Sequence, residues 1–177
     1  MKPWKLFGPV RSVRAACAII APINSFRSIL NIFMAYSGRY SPNNVSKYKG
    51  DPKNIIYRSS WELKFMIYCD RNPSILEWGS EEIFIPYISP LDGKRHKYYP
   101  DFYIKIKDRT GKIKKYLVEV KPAYQVSEPK IQKRKTKKYI TEVTTYAVNQ
   151  AKWKAAKEFC DDHMWEFIIL TEHELKV

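Results

Sequence analysis

Apolar positions follow two different periods along this chain. Between residues 59 and 70, Trp61, Phe65 and Tyr68 recur at i, i+4 and i+7. That spacing predicts a helix opening at Ser59 or Ser60, with its aromatic stripe facing a core. Asn72 ahead of Pro73 stops it, because the residue before a proline is pushed out of the helical region. Over residues 98–107 and 116–121 the period falls to two, which predicts a pair of strands joined by a turn at 108–112. A hairpin around that turn sets Phe102, Ile104 and Ile106 opposite Val118, Tyr116 and Lys114, a mostly apolar face. The other face then carries Asp101 opposite Glu119, and Tyr99 opposite Lys121. Pro100 has no ladder donor, so it marks an edge or a bulge that would shift the register by one.

The remaining elements are read in the same way. A short strand is expected at 75–78 and a clearer one at 83–88, closed by a turn in which Asp92 and Gly93 supply the signal. A second helix is expected over 144–161, with Tyr146, Trp153 and Cys160 on one face. A last strand follows at 165–170, and Thr171 with Glu174 opens a capping-box turn. The order α-β-β-β-α-β predicts an α/β fold with a mixed central sheet flanked by helices. Residues 36–54, rich in Ser, Asn, Pro and Lys, read as an extended basic lead-in.

Composition changes the picture through charge. A formal net charge of +14 on 177 residues implies a polyanionic partner, nucleic acid ahead of membrane; the alternative is solvated basic faces kept for solubility. The 3 cysteines (Cys17, Cys69, Cys160) have no paired spacing, which suggests neither a disulfide framework nor a zinc knuckle and points to a reducing compartment. The histidines are equally dispersed, which argues against a His-rich metal site. Residues 1–33 differ from the rest, with five basic and no acidic side chains and a short apolar run at 15–23. That run is too short to span a bilayer. The segment reads as an upstream extension of the reading frame, with Met34 as the native start. A basic arm or a signal segment are the alternatives. The remainder, 34–177, reads as one domain.

The chemistry centres on Asp101 and Glu119. Cross-strand partners have Cβ atoms roughly 5 Å apart, and like charges there repel, so the pair calls for a counter-ion. Mg²⁺ takes hard oxygens, typically one or two carboxylates with waters and phosphate oxygens. Asp101, Glu119 and the Val120 carbonyl suit it. Lys121 lies on the same side as Glu119. It is either a solvated strand-end lysine or a group that orients the nucleophile and stabilises charge on phosphorus. Glu62 is either the capping-box partner of Ser59 or a third carboxylate near the metal. Glu81 and Glu82 are weaker candidates for that place. Gln150 and Lys152 read as solvated, with a phosphate contact as the alternative. The segment 127–138 reads as a mobile basic loop, and Lys130, Lys133, Arg134, Lys135, Lys137 and Lys138 in it suit sequence-independent backbone binding.

Three strings carry a resemblance: Tyr57-Arg-Ser-Ser-Trp-Glu-Leu-Lys-Phe, then Tyr99-Pro-Asp-Phe, then Val118-Glu-Val-Lys-Pro. Together, in this order, they resemble the PD-(D/E)xK nuclease superfamily and its restriction-endonuclease-like core. The layout is similar to its transposon-end and junction-resolving branches. From Met34 to about Leu170 it is more closely similar to the head-completion nucleases of T4-like tailed phages. The resemblance implies a Mg²⁺-dependent nuclease, with Mn²⁺ able to substitute, that acts on double-stranded DNA late in virion assembly. Phage head, portal or neck proteins would be its partners, and the host cytoplasm or the virion its place. By motif, Asp101 and Glu119 are implied as metal ligands, Lys121 as the catalytic lysine and Glu62 as the helix carboxylate. A structural neck or DNA-binding protein without activity is the rival reading, and a transposase-like or junction-resolving endonuclease a third.

Overall fold

The computed structural model describes residues 37–175. In chain order it contains β1 (Gly38–Tyr40), a 3₁₀ turn (Val45–Lys47), β2 (Ile55–Tyr57), α1 (Ser60–Arg71), β3 (Ile75–Ser80) and β4 (Ile85–Ile88). It continues through β5 (Arg95–Tyr98), β6 (Phe102–Lys107), β7 (Ile113–Val120), α2 (Ala123–Val126), α3 (Lys137–Asp162), β8 (Glu166–Leu170) and α4 (Glu172–Leu175). The reading of residues 1–33 lies outside the described residues.

The central sheet has the order β3-β6-β7-β8, antiparallel except for the parallel β7–β8 pair. It is mixed and flanked by helices, in the expected α-β-β-β-α-β order with the β4–β5 hairpin inserted. The β6–β7 register is the expected one, from Phe102 opposite Val118 to Ile106 opposite Lys114. The turn fixes it locally. Asp108 Oδ1 accepts from the Thr110 and Lys112 amides at 2.9 and 3.0 Å, and Gly111 supplies the left-handed residue at φ 84°.

Both faces of the sheet are covered. Phe102, Ile104, Tyr116 and Val118 pack with Phe65, Met66 and Cys69 of α1. Tyr103, Leu117 and Ile169 pack with Trp153, Ala156 and Cys160 of α3. Each fully buried large apolar side chain contributes roughly 1.5–3 kcal/mol, so the two layers fix β6 and β7 from opposite sides. Gly79 is needed for a close approach: a Cβ there would lie 2.8 Å from the Lys49 carbonyl oxygen, where the lead-in crosses β3.

Several expectations are corrected. The run at 98–107 is not one strand. Tyr98 ends β5, which pairs with β4 in a separate two-stranded sheet, and β6 begins only at Phe102. Pro100, lacking an N–H, sits at the break. Tyr99 therefore does not face Lys121; it is exposed and its ring lies beside Phe84. The second helix opens at Lys137 rather than Thr144, because Thr136 caps it by accepting from the Tyr139 amide at 3.2 Å. Lys137 and Lys138 thus belong to a helix, and the irregular basic segment ends at Thr136. The lead-in is partly structured, since β1 pairs with β2.

Candidate active site

Three sequence-predicted residues meet where β7 ends. Lys121 Nζ lies 3.0 Å from Glu119 Oε1 and 3.5 Å from Asp101 Oδ2. Glu119 is only 2 % exposed, and its other oxygen accepts the Tyr98 hydroxyl at 2.6 Å. Asp101 Oδ2 also accepts the Val120 amide at 2.7 Å. The loop holding Asp101 is tied down by Glu81, whose amide donates to the Asp101 carbonyl at 3.2 Å. Glu81 sits in the left-handed region at φ 56°, an uncommon conformation for a non-glycine residue and one often found at functional sites. In an extended strand the N–H and C=O of one residue point to the same edge, so the Val120 carbonyl faces the Asp101 side.

Electrostatics separate the members of this group. Burial, then the neighbouring Glu119 carboxylate, push Asp101 up to about 7, against the opposing pull of Lys121 and the Val120 amide. Burial alone would lower Lys121, but Asp101 and Glu119 outweigh it and hold the ammonium above its ordinary value. Burial and Glu119 also push the Tyr98 hydroxyl far up, so it stays a donor.

Glu62 stands apart. Its Oε2 accepts the Arg58 amide at 2.7 Å and its Oε1 the Ser59 hydroxyl at 2.9 Å, while its own amide donates to Ser59 Oγ at 3.1 Å. That is a complete capping box, yet the Glu62 charge is still felt at Asp101. Arg58 pairs with Glu81 and senses both Glu62 and Asp101, and these carboxylates hold its guanidinium above its ordinary value. Beyond burial, Glu119 and Glu62 both push Asp101 up against the pull of Lys121, so the carboxylate pair is short of positive charge.

The hard carboxylate oxygens suit Mg²⁺, and the Lys121 ammonium lies between two of them. Among the described residues no group of three or more His, Cys, Asp or Glu side chains is placed to hold a metal. The fit therefore rests on Asp101, Glu119 and the Val120 carbonyl, with water and phosphate completing the coordination.

The other candidates are placed as follows. Lys130, Lys133, Arg134 and Lys135 are exposed on the irregular segment after α2, and Lys137 and Lys138 are exposed on the first turn of α3. Lys152 is half-buried rather than solvated, its ammonium 5.8 and 5.7 Å from the Tyr87 and Tyr98 ring centres. Gln150 is half-buried on the same helix, and Glu82 accepts the Tyr48 hydroxyl at 2.9 Å. Sequence reasoning missed Tyr98 and Arg58. Arg58 stood inside the first resemblance string. Tyr98 carried a fainter signal, as the first of two tyrosines after the basic run Arg95-His-Lys.

Comparison with known proteins defines the class. Residues 72–172 match the model of the TnsA-like endonuclease N-terminal domain. The chain belongs to this family of nucleases, and its mixed sheet is restriction-endonuclease-like. It is also 41 % identical over 147 residues to the head completion nuclease of Enterobacteria phage T4, a match covering 81 % of this chain and 95 % of that protein. Among the described residues no helix is long and apolar enough to cross a membrane.

Proposed function

We propose that this protein is a Mg²⁺-dependent, PD-(D/E)xK-type deoxyribonuclease that cleaves double-stranded DNA during phage head completion and head–tail joining. The observation that carries the reading is the buried Glu119 and half-buried Asp101 converging on Lys121 at 3.0 and 3.5 Å. The relative's name supports the assembly context, with head, portal or neck proteins as partners and the host cytoplasm or virion as the setting.

Asp101, Glu119 and the Val120 carbonyl would hold Mg²⁺, or Mn²⁺ in its place. When bound, the ion lowers the pKa of a coordinated water and neutralises the scissile phosphate. Without the ion, the Asp101 and Glu119 carboxylates hold the Lys121 ammonium above its ordinary value. Lys121 serves as a positive donor that orients the attacking water and stabilises charge growing on phosphorus. Glu62 adds negative charge behind Asp101 from its cap. The exposed residues Lys130, Lys133, Arg134, Lys135, Lys137 and Lys138 bind the phosphate backbone without reading bases.

The test uses purified protein, Mg²⁺ and linear or circular duplex DNA, with Asp101→Ala and Lys121→Ala variants alongside. Cleavage by the intact protein and its loss in both variants is expected. Unchanged cleavage in both variants would overturn the site. DNA binding without cleavage by the intact protein would favour a structural neck role. A junction substrate cut in strong preference to plain duplex would move the protein to the junction-resolving class.

A further inference from the structure

Glu119 divides its two oxygens between unlike partners. Oε1 faces the Lys121 ammonium at 3.0 Å, on the side shared with Asp101. Oε2 accepts the Tyr98 hydroxyl at 2.6 Å, in a contact closed to solvent. Tyr98 is itself only 4 % exposed and comes from outside the central sheet. It is delivered by β5 of the inserted hairpin, which packs Ile85, Tyr87 and Tyr98 against Trp153 of α3. The Lys152 ammonium lies over the rings of both tyrosines. A buried carboxylate with one free oxygen could rotate; this one is pinned.

We infer that Tyr98 is a positioning residue. Its hydroxyl fixes the Glu119 carboxylate so that one oxygen is committed to the protein and the other is presented, beside Asp101, to the divalent ion. This inference rests on the metal-site reading given above and adds a residue to it. The hydroxyl touches neither substrate nor reacting atoms in that arrangement, so it acts through Glu119. Partners that orient a metal-binding carboxylate typically matter 10- to 100-fold in metal affinity. The inserted β4–β5 hairpin gains a purpose on this account, since it carries the group that orients a ligand on a different sheet.

The experiment is calorimetric titration with Mn²⁺ alone, without DNA, so the readout does not depend on turnover. Tyr98→Phe keeps the ring and removes the donor, and its Mn²⁺ affinity should fall about 10- to 100-fold. Tyr87→Phe removes the neighbouring hydroxyl of the same hairpin and should stay within about twofold of the intact protein. In a Glu119→Ala background, adding Tyr98→Phe should weaken Mn²⁺ binding no further, because the effect runs through Glu119. Should Tyr98→Phe fail to fold, 4-fluorophenylalanine at position 98 fills the hydroxyl's space without a donor, and 4-aminophenylalanine there should restore affinity by supplying an N–H.

Unaltered affinity in a folded Tyr98 variant, beside normal binding by the intact protein, would overturn this inference and leave the metal site standing. Additive losses in the double variant would do the same. No Mn²⁺ binding by the intact protein would overturn both.

Discussion

Asp70 and Asp101 are two aspartates removed from most solvent in the same molecule, and their surroundings push them in opposite directions. Asp70 is fully buried at the end of α1. Burial raises its pKa, but the Asn43 and Asn44 amides and the Tyr40 hydroxyl, at 2.8, 2.9 and 3.0 Å, outweigh it and hold it below the usual value. Asp101 has one amide donor, a shared ammonium and a carboxylate neighbour, and it ends near 7. At Asp101 burial and the Glu119 like charge outweigh one amide and a shared ammonium, whereas at Asp70 the hydrogen bonds to the charged form outweigh burial. Asp70 is a satisfied anion that fastens the lead-in to α1. Asp101 is an anion short of positive charge, in a place where a cation would relieve it.

The largest expected effects test that division directly. Asp101→Ala and Lys121→Ala should each lower cleavage by about 10²–10³-fold or more, with cooperative unfolding retained. Asp70→Ala should remove the shared acceptor of two amides and a hydroxyl, costing roughly 1–3 kcal/mol of stability. Cleavage per folded molecule should survive it. Urea unfolding together with a plasmid-cleavage assay measures both. A stability loss at Asp101 equal to that at Asp70 would erase the distinction.

The pH dependence of stability should carry opposite signs at the two sites. Asp101 has a folded pKa raised from 3.8 to about 7, so between these values the folded state binds more protons than the unfolded state. Its contribution therefore declines as pH rises through that window. Asp70 is lowered, so its contribution is present above the ordinary aspartate value and is lost as pH falls through its depressed folded pKa. Asp101→Asn should then unfold at a higher temperature than the intact protein at pH 8 and show little gain near pH 4.5. The gain is about 2–4 °C for each kcal/mol of relieved repulsion. Mg²⁺ should raise the melting temperature of the intact protein most at pH 8, where the ion replaces no proton. A melting curve for Asp101→Asn that tracks the intact protein across this range would show that the carboxyl is not frustrated.

How far the sequence reveals this contrast depends on how far apart the partners lie. Asp101, Glu119 and Lys121 were legible because a period-two pattern and a short Asp108-initiated turn set the β6–β7 register without help from elsewhere. Tyr98 was not, because its hydroxyl reaches Glu119 from a different sheet, and no spacing in the chain reports that docking. The Asp70 anchor was hidden for a similar reason. Its donors sit 26 to 30 residues earlier, in a lead-in whose Ser, Asn and Pro content masks strands of only three residues. The early start of α3 was hidden because Lys137 and Lys138 continue a run with no apolar period. Lysine favours helix intrinsically, but the deciding cap at Thr136 is one residue in a polar stretch.

On the proposed function, the basic segment bears on substrate rather than chemistry. Replacing Lys130, Lys133, Arg134 and Lys135 together by Gln should weaken DNA binding without changing the metal dependence of cleavage at saturating DNA. The slope of log affinity against log salt should flatten by roughly 0.9 for each phosphate contact removed. Filter binding across a salt series measures it. An unchanged slope would assign these charges to solubility instead of DNA.

The smallest expected effect falls on Glu62, which belongs to both halves of the comparison: satisfied like Asp70, yet charged toward Asp101. Gln serves in a capping box as Glu does, so Glu62→Gln should keep the Ser59 cap and hold stability within about 0.5 kcal/mol, whereas Glu62→Ala should lose part of the cap, about 0.5–2 kcal/mol. If the negative charge matters at the site, Glu62→Gln should still lower cleavage, by roughly tenfold for about 1.4 kcal/mol of lost stabilisation, and should require more Mg²⁺ for half-maximal rate. Comparing the two variants separates the roles, since Gln removes only charge and Ala removes charge and cap together. Cleavage by Glu62→Gln equal to that of the intact protein at every Mg²⁺ concentration would confine Glu62 to the helix terminus and leave the ion to Asp101, Glu119 and the Val120 carbonyl.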